Sequence, residues 1–376
     1  MTNQNAKFKN LYESLKERIL SGQYNSDSPL PSLRAIMKRY GLSSSTVRRA
    51  FAELEHEGLV VRNRGSGTFV TKSAISRKIG LIVPSIAGSE SFPEFVSAIS
   101  RIAQDKGYTL LFSDISYANP IERASRTKEF AKTLIDEDVA GVIYLPLEFL
   151  SDATERNLEI LRLFVDAHIP VVLLDRDVIA GPGRSSFDII GINNVVAGQR
   201  LASHLLSMGA KKVGFLVRPN CAPIYQDRIN GAMTAIRDAG FKCDRKKNVL
   251  VAQPTNLTAV KAFIKRERPD AFICSSDTIA AQFAKTLVKV GVRVPADMML
   301  AGFNDLQLAR VLTPSLTTIH SPCSKIAAAA FQRLLQRMEN PELQPMELLL
   351  PCPLIIREST RGWRGMQPKM RKGVAK

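Results

Sequence analysis

Side chains that could contact DNA lie close together near the N-terminus. Ser44, Ser45, Arg48 and Arg49 fall within six consecutive residues, and a basic stretch, Arg62–Gly67, follows shortly after. Hydroxyl and guanidinium groups donate hydrogen bonds to phosphate oxygens, and arginine also binds guanine edges in the major groove. These residue types predict a nucleic-acid surface if one element presents the first four side chains on one face.

The segment Leu30–Val70 contains the elements that would present them. Ser32 can cap a first helix, Gly41 can end it in a left-handed conformation, and Ser43 can cap a second helix. In that second helix, apolar residues recur at positions i, i+4 and i+7 and are expected to pack inward: Val47, Phe51 and Leu54. The four candidate DNA-binding residues then fall on the opposite, outer face.

A further helix and a hairpin complete the predicted module. Apolar residues recur at helical spacing before it: Phe8, Leu11, Tyr12, Leu15 and Ile19. Strand composition follows at Leu59–Val61 and Thr68–Val70, with the basic stretch as the tip between them. This layout is that of an α+β winged helix-turn-helix domain, which places its second helix in the major groove. A basic helical hairpin with no partner is the alternative, and the coincidence of turn spacing, outward arginines and basic tip disfavours it.

The segment 8–70 resembles the DNA-binding domain of the GntR family. The pieces that carry the resemblance are Leu30-Pro31-Ser32-Leu33-Arg34, Thr46-Val47-Arg48-Arg49-Ala50, Glu57-Gly58-Leu59-Val60 and Gly65-Ser66-Gly67-Thr68-Phe69-Val70. With the residue chemistry above, the resemblance implies these DNA-binding residues: Arg34, Ser44, Ser45, Thr46, Arg48, Arg49, Arg64 and Gly67. Leu33 replaces a usual Glu, which we expect to alter only local charge. Ser44 stands where the family often has Arg, so the preferred half-site can differ from the family's commonest ones.

Charge is uneven along the 376 residues. The net charge is +17, of which residues 1–78 carry +8 and residues 357–376 carry +6, which leaves +3 for the 278 residues between them. A short positive module on a near-neutral body fits DNA binding by counterion release. We expect the tail over 361–376 to be a solvated, disordered extension, with nonspecific phosphate contact as the alternative.

Composition also excludes several classes of protein. The start, MTNQNAKFKNLYE, lacks the apolar run of a secretory signal, and no stretch is long and apolar enough to span a membrane. Five cysteines without a CxxC pair and four scattered histidines predict neither disulfides nor a metal site. We therefore expect a cytoplasmic protein with no cofactor, no metal and no membrane partner.

From Lys78 onward the pattern changes to short apolar strands alternating with amphipathic helices, typical of βαβ units around buried parallel sheets. Seven strands are predicted, at Ile79–Val83, Thr109–Phe112, Val139–Leu145, Pro170–Asp175, Val213–Val217, Ala271–Cys274 and Met299–Phe303. Ile79–Asp175 and Val213–Phe303 each run strand, helix, strand, helix, strand, which predicts two similar lobes. The predicted domains are a DNA-binding head over 1–72, a linker over 73–78 and an α/β two-lobed body over 79–360. Lobe 1 takes about 79–190 and 319–348, and lobe 2 about 191–318 and 349–360.

The body resembles the effector-binding core of the LacI family, which has the periplasmic-binding-protein fold. The landmarks are Ile79-Gly80-Leu81-Ile82-Val83-Pro84, Pro170-Val171-Val172-Leu173-Leu174-Asp175-Arg176, Arg228-Ile229-Asn230-Gly231, Ser275-Ser276-Asp277-Thr278-Ile279-Ala280, Gly302-Phe303-Asn304-Asp305, Pro314-Ser315-Leu316-Thr317-Thr318-Ile319 and Leu354-Ile355-Ile356-Arg357-Glu358-Ser359-Thr360. A GntR-like head on such a body is similar to arabinose-type repressors.

The resemblance implies a ligand cleft between the lobes, at the carboxyl ends of the strands. With the chemistry of the side chains it gives these candidates: Ser85, Ser91, Phe92, Asp175, Arg176, Tyr225, Arg228, Ser276 and Asn304. Carboxylate, guanidinium and amide groups suit sugar hydroxyls, and an aromatic ring can stack on a sugar face. Ser276 stands where the family commonly has Asn.

Structural alternatives remain open at several of these candidates. Asp175 and Asn304 can simply cap the helices that follow them, because Asp and Asn commonly do so. Arg228 can be a solvated helix residue, Arg176 can bridge the lobes, and Phe92 can belong to the core.

These features predict a bacterial transcription regulator, expected to be a repressor that binds a palindromic operator as a homodimer. A sugar or related metabolite would close the lobes about three crossovers, near Ile190–Asn193, Thr318–His320 and Pro351–Leu354, and so change DNA affinity. Ser73–Lys78 is too short for the hinge helix of the LacI family, so coupling through head spacing or orientation is the better hypothesis. An activator or an effector-independent regulator is the nearest alternative. An enzyme or a transport receptor is more remote, because GxGxxG, GxxxxGK[ST] and an export signal are absent.

Overall fold

The computed structural model describes residues 3–20, 23–24, 29–63, 66–71, 78–83, 91–113, 115, 119–181 and 183–363. These residues form a small N-terminal domain (the head) and a body with two six-stranded sheets. Linker residues 73–77 and tail residues 364–376 lie outside the described residues, as do Arg64 and Ser85.

The head has the predicted winged helix-turn-helix architecture. Its elements are α1 (Asn3–Leu20), α2 (Leu33–Tyr40), α3 (Ser44–His56), β1 (Val60–Asn63) and β2 (Gly67–Val70). The predicted caps are confirmed: Ala35 N donates to Ser32 Oγ, Thr46 N donates to Ser43 Oγ, and Gly41 ends α2 at φ +61°. The predicted inner face of α3 is also confirmed, with Val47, Phe51 and Leu54 buried in the core of the head.

The β1–β2 hairpin (the wing) has a shorter tip than predicted. The predicted tip included Arg62, Asn63 and Gly67, but Arg62 pairs with Thr68 in the antiparallel β1–β2 ladder, and Asn63 pairs with Gly67. Backbone pairing therefore extends beyond the residues of high strand propensity. Between the paired strands, Ser66 is the described residue, and its N donates to Asn63 O at 3.1 Å.

Lobe 1 is built on a parallel sheet in the order β13-β7-β6-β5-β3-β4. Its elements are β3 (Lys78–Ile82), α4 (Ser91–Asp105), β4 (Thr109–Phe112), α5 (Pro120–Asp136), β5 (Gly141–Tyr144), α6 (Ala153–Asp166), β6 (Val171–Leu174) and β7 (Asp188–Ile192), with α13 (Cys323–Glu339) and β13 (Glu347–Leu350) from later in the chain. Alternate strand residues face opposite sides, so Ile143 packs with Phe331 of α13 while Tyr144 packs with Phe164 of α6. Both faces are thus covered by helices.

Lobe 2 repeats this arrangement, with strand order β14-β12-β11-β10-β8-β9 and only β14 antiparallel. Its elements are α7 (Asn194–Ser207), β8 (Val213–Val217), α8 (Ile224–Asp238), α9 (Arg245–Asn248), β9 (Val249–Val251), α10 (Leu257–Glu267), β10 (Ala271–Cys274), α11 (Asp277–Lys289), β11 (Met299–Asn304), α12 (Gln307–Val311), β12 (Thr317–His320), β14 (Leu354–Ile355) and a 3-10 turn (Glu358–Thr360). The predicted two-parallel-sheet α/β body is confirmed.

The structure refines two details of the predicted body. Each lobe contains one more strand–helix unit than the predicted repeat, because the repeat omitted α6 in lobe 1 and the three-residue strand β9 with α10 in lobe 2. The predicted lobe boundaries at 190, 318 and 348 also fall inside strands β7, β12 and β13. Strand pairing moves each crossing of the chain about two residues onward, because a strand cannot be divided between two sheets.

None of the described helices is both long and apolar enough to cross a membrane. Within the same residues, no three His, Cys, Asp or Glu side chains come together as a metal site.

Candidate DNA-binding face and interlobe cleft

The outer face of α3 presents four polar side chains to solvent. Ser44, Ser45, Arg48 and Arg49 are all exposed, and the guanidinium of Arg49 lies 4.3 Å from the ring centroid of Phe8 on α1. Stacking of this kind limits the orientations of an arginine without neutralising its charge. The face therefore combines two hydroxyls, one exposed guanidinium, of Arg48, and one guanidinium oriented by Phe8.

Thr46 differs from its neighbours because it is buried, with 8% of its surface exposed. Its hydroxyl lies 2.9 Å from Ser43 Oγ, which also lies 3.0 Å from Ser45 Oγ. This network closes the first turn of α3. The Thr46 hydroxyl is thus drawn inward by the cap, and contact of Thr46 with DNA stays a prediction.

Arg34 and Gly67 border this face. Arg34 is exposed in the first turn of α2, and Gly67 is exposed at the start of β2 with φ +119°, a conformation that favours glycine. A network at the other end of α3 fixes the domain: Tyr12 donates to Glu57, and Lys16 Nζ lies 2.8 Å from Glu57 Oε2. The contacts hold α1 against the end of α3.

A cleft of about 180 Å³ opens between the carboxyl ends of the two sheets. It is smaller than the roughly 300–1,000 Å³ of pockets for drug-sized ligands, so a small metabolite fits it best. The residues that line it are Phe95, Arg123, Glu148, Phe149, Asp175, Arg176, Arg218, Ile224, Tyr225, Arg228, Ser275, Ser276, Thr278, Ile279, Asn304 and Ser321.

The structure brings together six of the nine predicted ligand-binding residues: Asp175, Arg176, Tyr225, Arg228, Ser276 and Asn304. Ser85 is outside the described residues. Ser91 and Phe92 begin α4, but only their backbone is described. Phe95, one turn further along α4, lines the cleft.

Arg228 is buried on α8 and held in place by neutral acceptors. Its Nε donates to Asn194 Oδ1 at 2.8 Å and its NH1 donates to Ser275 O at 2.7 Å, while the guanidinium lies 4.5 Å from the Phe303 ring centroid. The alternative that Arg228 is a solvated helix residue is therefore wrong.

Arg176 is likewise buried, and its recorded partners lie in lobe 1. Its Nε donates to Pro146 O at 3.1 Å, and its NH1 lies 3.1 Å from Glu148 Oε2. Arg176 lines the cleft with its described hydrogen-bond and ion-pair partners in lobe 1, and its binding of a ligand stays a prediction.

Asp175 and Asn304 end strands β6 and β11 with positive φ, at +64° and +108°. Neither caps a helix, since the next helices begin after Asn193 and Leu306 respectively. Non-glycine residues in such conformations are strained and are concentrated at functional sites. Ser276 does cap α11, because Ile279 N donates to Ser276 Oγ at 3.3 Å, and it lines the cleft as well.

Tyr225 contributes a neutral hydroxyl. Burial and the charge of Glu148 raise the pKa of the Tyr225 phenol, so it stays protonated at physiological pH and can donate a hydrogen bond.

The two lobes touch at one side of the cleft. Phe149 N in lobe 1 donates to Asn220 O in lobe 2 at 2.8 Å, and the guanidinium of Arg218 lies 4.1 Å from the Phe149 ring centroid. These contacts connect the lobes directly, in addition to the three crossings of the chain.

Comparisons with known proteins agree with the architecture of both the head and the body. Residues 7–70 match the gntR family of bacterial regulatory proteins, and residues 202–360 match the periplasmic binding protein-like domain. An arabinose metabolism transcriptional repressor from Geobacillus stearothermophilus is 27% identical over 370 residues, covering 94% of this chain and 98% of that protein. The chain joins a gntR-family DNA-binding domain to a periplasmic-binding-protein-like domain. It is a transcription regulator.

Solved structures share the fold of the regulator. Transcription regulator CcpA of Lactococcus lactis matches with a TM-score of 0.65 at 19% identity, covering 76% of this chain and all of that one. A LacI family transcriptional regulator from Enterococcus faecium with bound ribose matches with a TM-score of 0.60 at 19% identity, with the same coverage. The relatives of the regulator are thus transcription regulators rather than enzymes.

The regulator's cleft also contains polar residues that sequence reasoning missed: Arg123, Glu148, Arg218, Ser275, Thr278 and Ser321. Glu148 and Arg218 follow strands β5 and β8, so the rule that ligands bind beyond the carboxyl ends of strands could have found them. Arg123 has no such signal, because it lies in the first turn of α5 and reaches the cleft only through the packing of lobe 1.

Proposed function

We propose that the regulator is a repressor that binds a palindromic operator as a homodimer and changes its operator affinity when a small sugar or related metabolite occupies the interlobe cleft. The observation that carries the proposal is Arg228, a buried cation held by two fixed acceptors at the border of a metabolite-sized cleft. A structural arginine so deep in an ordinary core would be expected to have a carboxylate partner. DNA as the partner also implies a cytoplasmic location.

Operator binding would use the outer face of α3. Arg48 would reach base edges or phosphates, Arg34 would approach from α2, and the wing would lie along the backbone. Ser44 and Ser45 would add hydrogen bonds at the start of the helix. Arg49 and Arg64 remain proposed contacts of this surface, with Arg49 oriented by Phe8.

Dimerisation through the body is supported by apolar side chains on exposed edge strands. Phe112 on β4 and Val251 on β9 are about half exposed, and these strands are the outer edges of the two sheets. An uncovered apolar edge favours association, and a second copy is the partner that a two-fold operator requires.

The effector would act by changing how the lobes meet. The Phe149–Asn220 hydrogen bond closes one side of the cleft, so a ligand that favours this arrangement stabilises one relative position of the lobes. The head lies against lobe 1, since a Cβ added to Gly58 would come within 3.2 Å of Pro341 Cγ, just after α13. A shift of lobe 1 can therefore reach the head without a folding hinge helix.

The experiment that tests this function has two stages. Operator sites are first selected from a random DNA library with the full-length protein. Operator affinity is then measured by fluorescence anisotropy with and without the compounds that raise the thermal midpoint in a screen of sugars and related metabolites. A palindromic site and a ligand-dependent affinity are expected; an affinity that no stabilising compound changes would contradict the proposal.

A further inference from the structure

Among the described residues that line the cleft, positively charged side chains outnumber negatively charged ones. Four guanidinium groups, from Arg123, Arg176, Arg218 and Arg228, face the two described carboxylates of Glu148 and Asp175. We infer that the effector is a small hydroxylated anion, that is, a sugar acid or a phosphorylated sugar. This inference rests on the proposed function, because it assumes that the cleft binds the effector.

The partners of the arginines show which guanidinium groups are not neutralised by a carboxylate among the described residues. Arg176 is paired with Glu148. Arg228 is held by an amide and a backbone carbonyl, and no carboxylate among the described residues forms an ion pair with it. A buried cation that meets only neutral acceptors is costly, and an anionic ligand would offset that cost.

Arg218 is the second guanidinium without a carboxylate partner in the described part of the chain. It stacks on Phe149, and its Nε is buried without a hydrogen-bond acceptor. A buried donor of this kind costs free energy unless a ligand or water satisfies it. A ligand carboxylate or phosphate would supply a charged acceptor, which gives a stronger hydrogen bond than a neutral one.

Arg123 adds a like charge close to Arg218. Burial lowers the pKa of Arg123, the carboxylate of Glu148 raises it, and the guanidinium of Arg218 lowers it again. The two guanidinium groups therefore repel each other across the cleft, since Arg123 belongs to lobe 1 and Arg218 to lobe 2. An anion between them would turn this repulsion into attraction and draw the lobes together.

Two helix N-termini border the same space. Ser276, Thr278 and Ile279 belong to the start of α11, and Ile224 and Tyr225 to the start of α8. Helix N-termini carry partial positive charge and favour anions. This partial positive charge adds to the charge of the arginines in favouring an anionic ligand.

The carboxylates indicate that the anion also carries hydroxyls. Glu148 Oε2 is buried and lies 3.1 Å from Arg176 NH1, and none of the other described residues donates a hydrogen bond to it. Its remaining lone pair can accept from a ligand hydroxyl, as can Asp175. The donor on Arg218 and the carboxylate of Glu148 thus match a molecule that combines an anionic group with hydroxyls.

The test is isothermal titration of the full-length protein with compounds matched except for charge. One series is glucose, gluconate and glucose 6-phosphate; the other is arabinose, arabinonate and arabinose 5-phosphate. We expect an anionic member to bind about tenfold or more tightly than its neutral counterpart, and added salt to weaken only the anion. The carboxylate and phosphate arms distinguish the two forms of the anion.

Variants assign the effect to the named arginines. Arg218→Gln and Arg123→Gln should each weaken the anion about tenfold and leave the neutral sugar within about threefold. Arg237→Gln, at an exposed position near the end of α8, is the matched control and should change neither affinity. Thermal midpoints of the unliganded variants check that they fold.

The outcomes separate this inference from the proposed function. If neutral sugars bind at least as tightly as the anions and change operator affinity, the inference is wrong and the proposed function stands. If no compound of either charge binds or changes operator affinity, the result counts against both. Equal loss for anion and sugar in Arg218→Gln would also overturn the inference.

Discussion

The head and the cleft use arginine in opposite ways. On the head, Arg34 and Arg48 are exposed and lie on short helices close together in the sequence. In the cleft, Arg176 and Arg228 are buried, come from different lobes and are fixed by hydrogen bonds to backbone and side-chain oxygens. Exposed arginines can adjust to a long polyanion, whereas buried ones select a small ligand through fixed geometry.

The contrast shows which arginines need hydrogen-bond acceptors within the protein. An exposed arginine needs none in the free protein, because water solvates it. A buried arginine needs acceptors at all times, so its surroundings must be built into the fold. The predictions below test this difference, beginning with the largest expected effect.

A second arginine cluster lies in lobe 1, where the fully buried Asp188 carboxylate accepts from Arg333 Nε at 2.8 Å and Arg337 Nε at 2.5 Å. Asp188→Ala should lower the free energy of unfolding by about 3–5 kcal/mol, because it leaves buried cations without their partner. Urea denaturation followed by circular dichroism measures the change. Asp166→Ala, an exposed carboxylate at the end of α6, should change it by less than about 0.5 kcal/mol; equal losses would show that burial of these arginines is unimportant.

In the cleft, Arg228→Gln should weaken binding of the titrated ligand by about 10- to 100-fold, since a buried charged donor is lost. Operator affinity without ligand should stay within about twofold of the unmodified protein, because Arg228 lies in lobe 2, away from α3. Titration calorimetry and anisotropy measure the two affinities. Loss of operator binding at an unchanged thermal midpoint would contradict the claim that the head binds DNA independently of the cleft arginines.

On the head, Arg48→Gln should weaken operator binding about tenfold or more and leave ligand affinity unchanged, because an exposed contact to a base or phosphate is removed. Glu55→Gln, at an exposed position further along α3, is the control and should not weaken it. The thermal midpoint should hardly move, in contrast to Asp188→Ala. An unchanged operator affinity would show that Arg48 on α3 does not contact the operator.

A pH-dependent effect is expected at Asp277, a buried carboxylate at the start of α11. Burial raises its pKa to about 7, although the Thr318 hydroxyl and Leu306 N donate to it and oppose the rise. The folded state therefore holds this proton to higher pH than the unfolded chain. Its contribution to stability is full below about pH 4 and is lost as the pH rises through 7.

Asp277→Asn should accordingly flatten the decline of the urea midpoint between pH 5 and pH 8, because the titrating group is gone. The slope it removes is at most about 1.4 kcal/mol per pH unit. Asp166→Asn serves as the exposed control and should retain the slope. The same slope in both variants would assign the pH dependence to other groups.

The same contrast explains how much could be predicted from the sequence. The head was predicted almost completely, because Ser32, Gly41 and Ser43 act through contacts within a few residues, and the inner face of α3 follows helical spacing. The burial of Thr46 in the cap could not be predicted, because position on the helix does not reveal which hydroxyl takes part in it.

Most of the predicted cleft residues end a strand or lie in a family landmark, as Asp175 and Arg228 do. Arg123 enters the cleft through tertiary packing, and no local pattern marks it. The contact of Phe149 with lobe 2 likewise depends on how the lobes meet. The partners of Arg176 and Arg228 were equally hidden, because Glu148 and Asn194 are separated from them by 28 and 34 positions in the chain. Predicting a buried arginine requires its acceptors, and those come from the fold.

The most direct test of the account is operator affinity of three proteins, each measured with and without the ligand found by titration: the unmodified regulator, Arg48→Gln and Arg228→Gln. The account predicts a ligand-dependent affinity in the first, weak binding in the second, and strong binding that no longer responds to the same ligand concentration in the third. An operator affinity that ligand leaves unchanged in the unmodified protein, at concentrations that saturate the cleft, would contradict it.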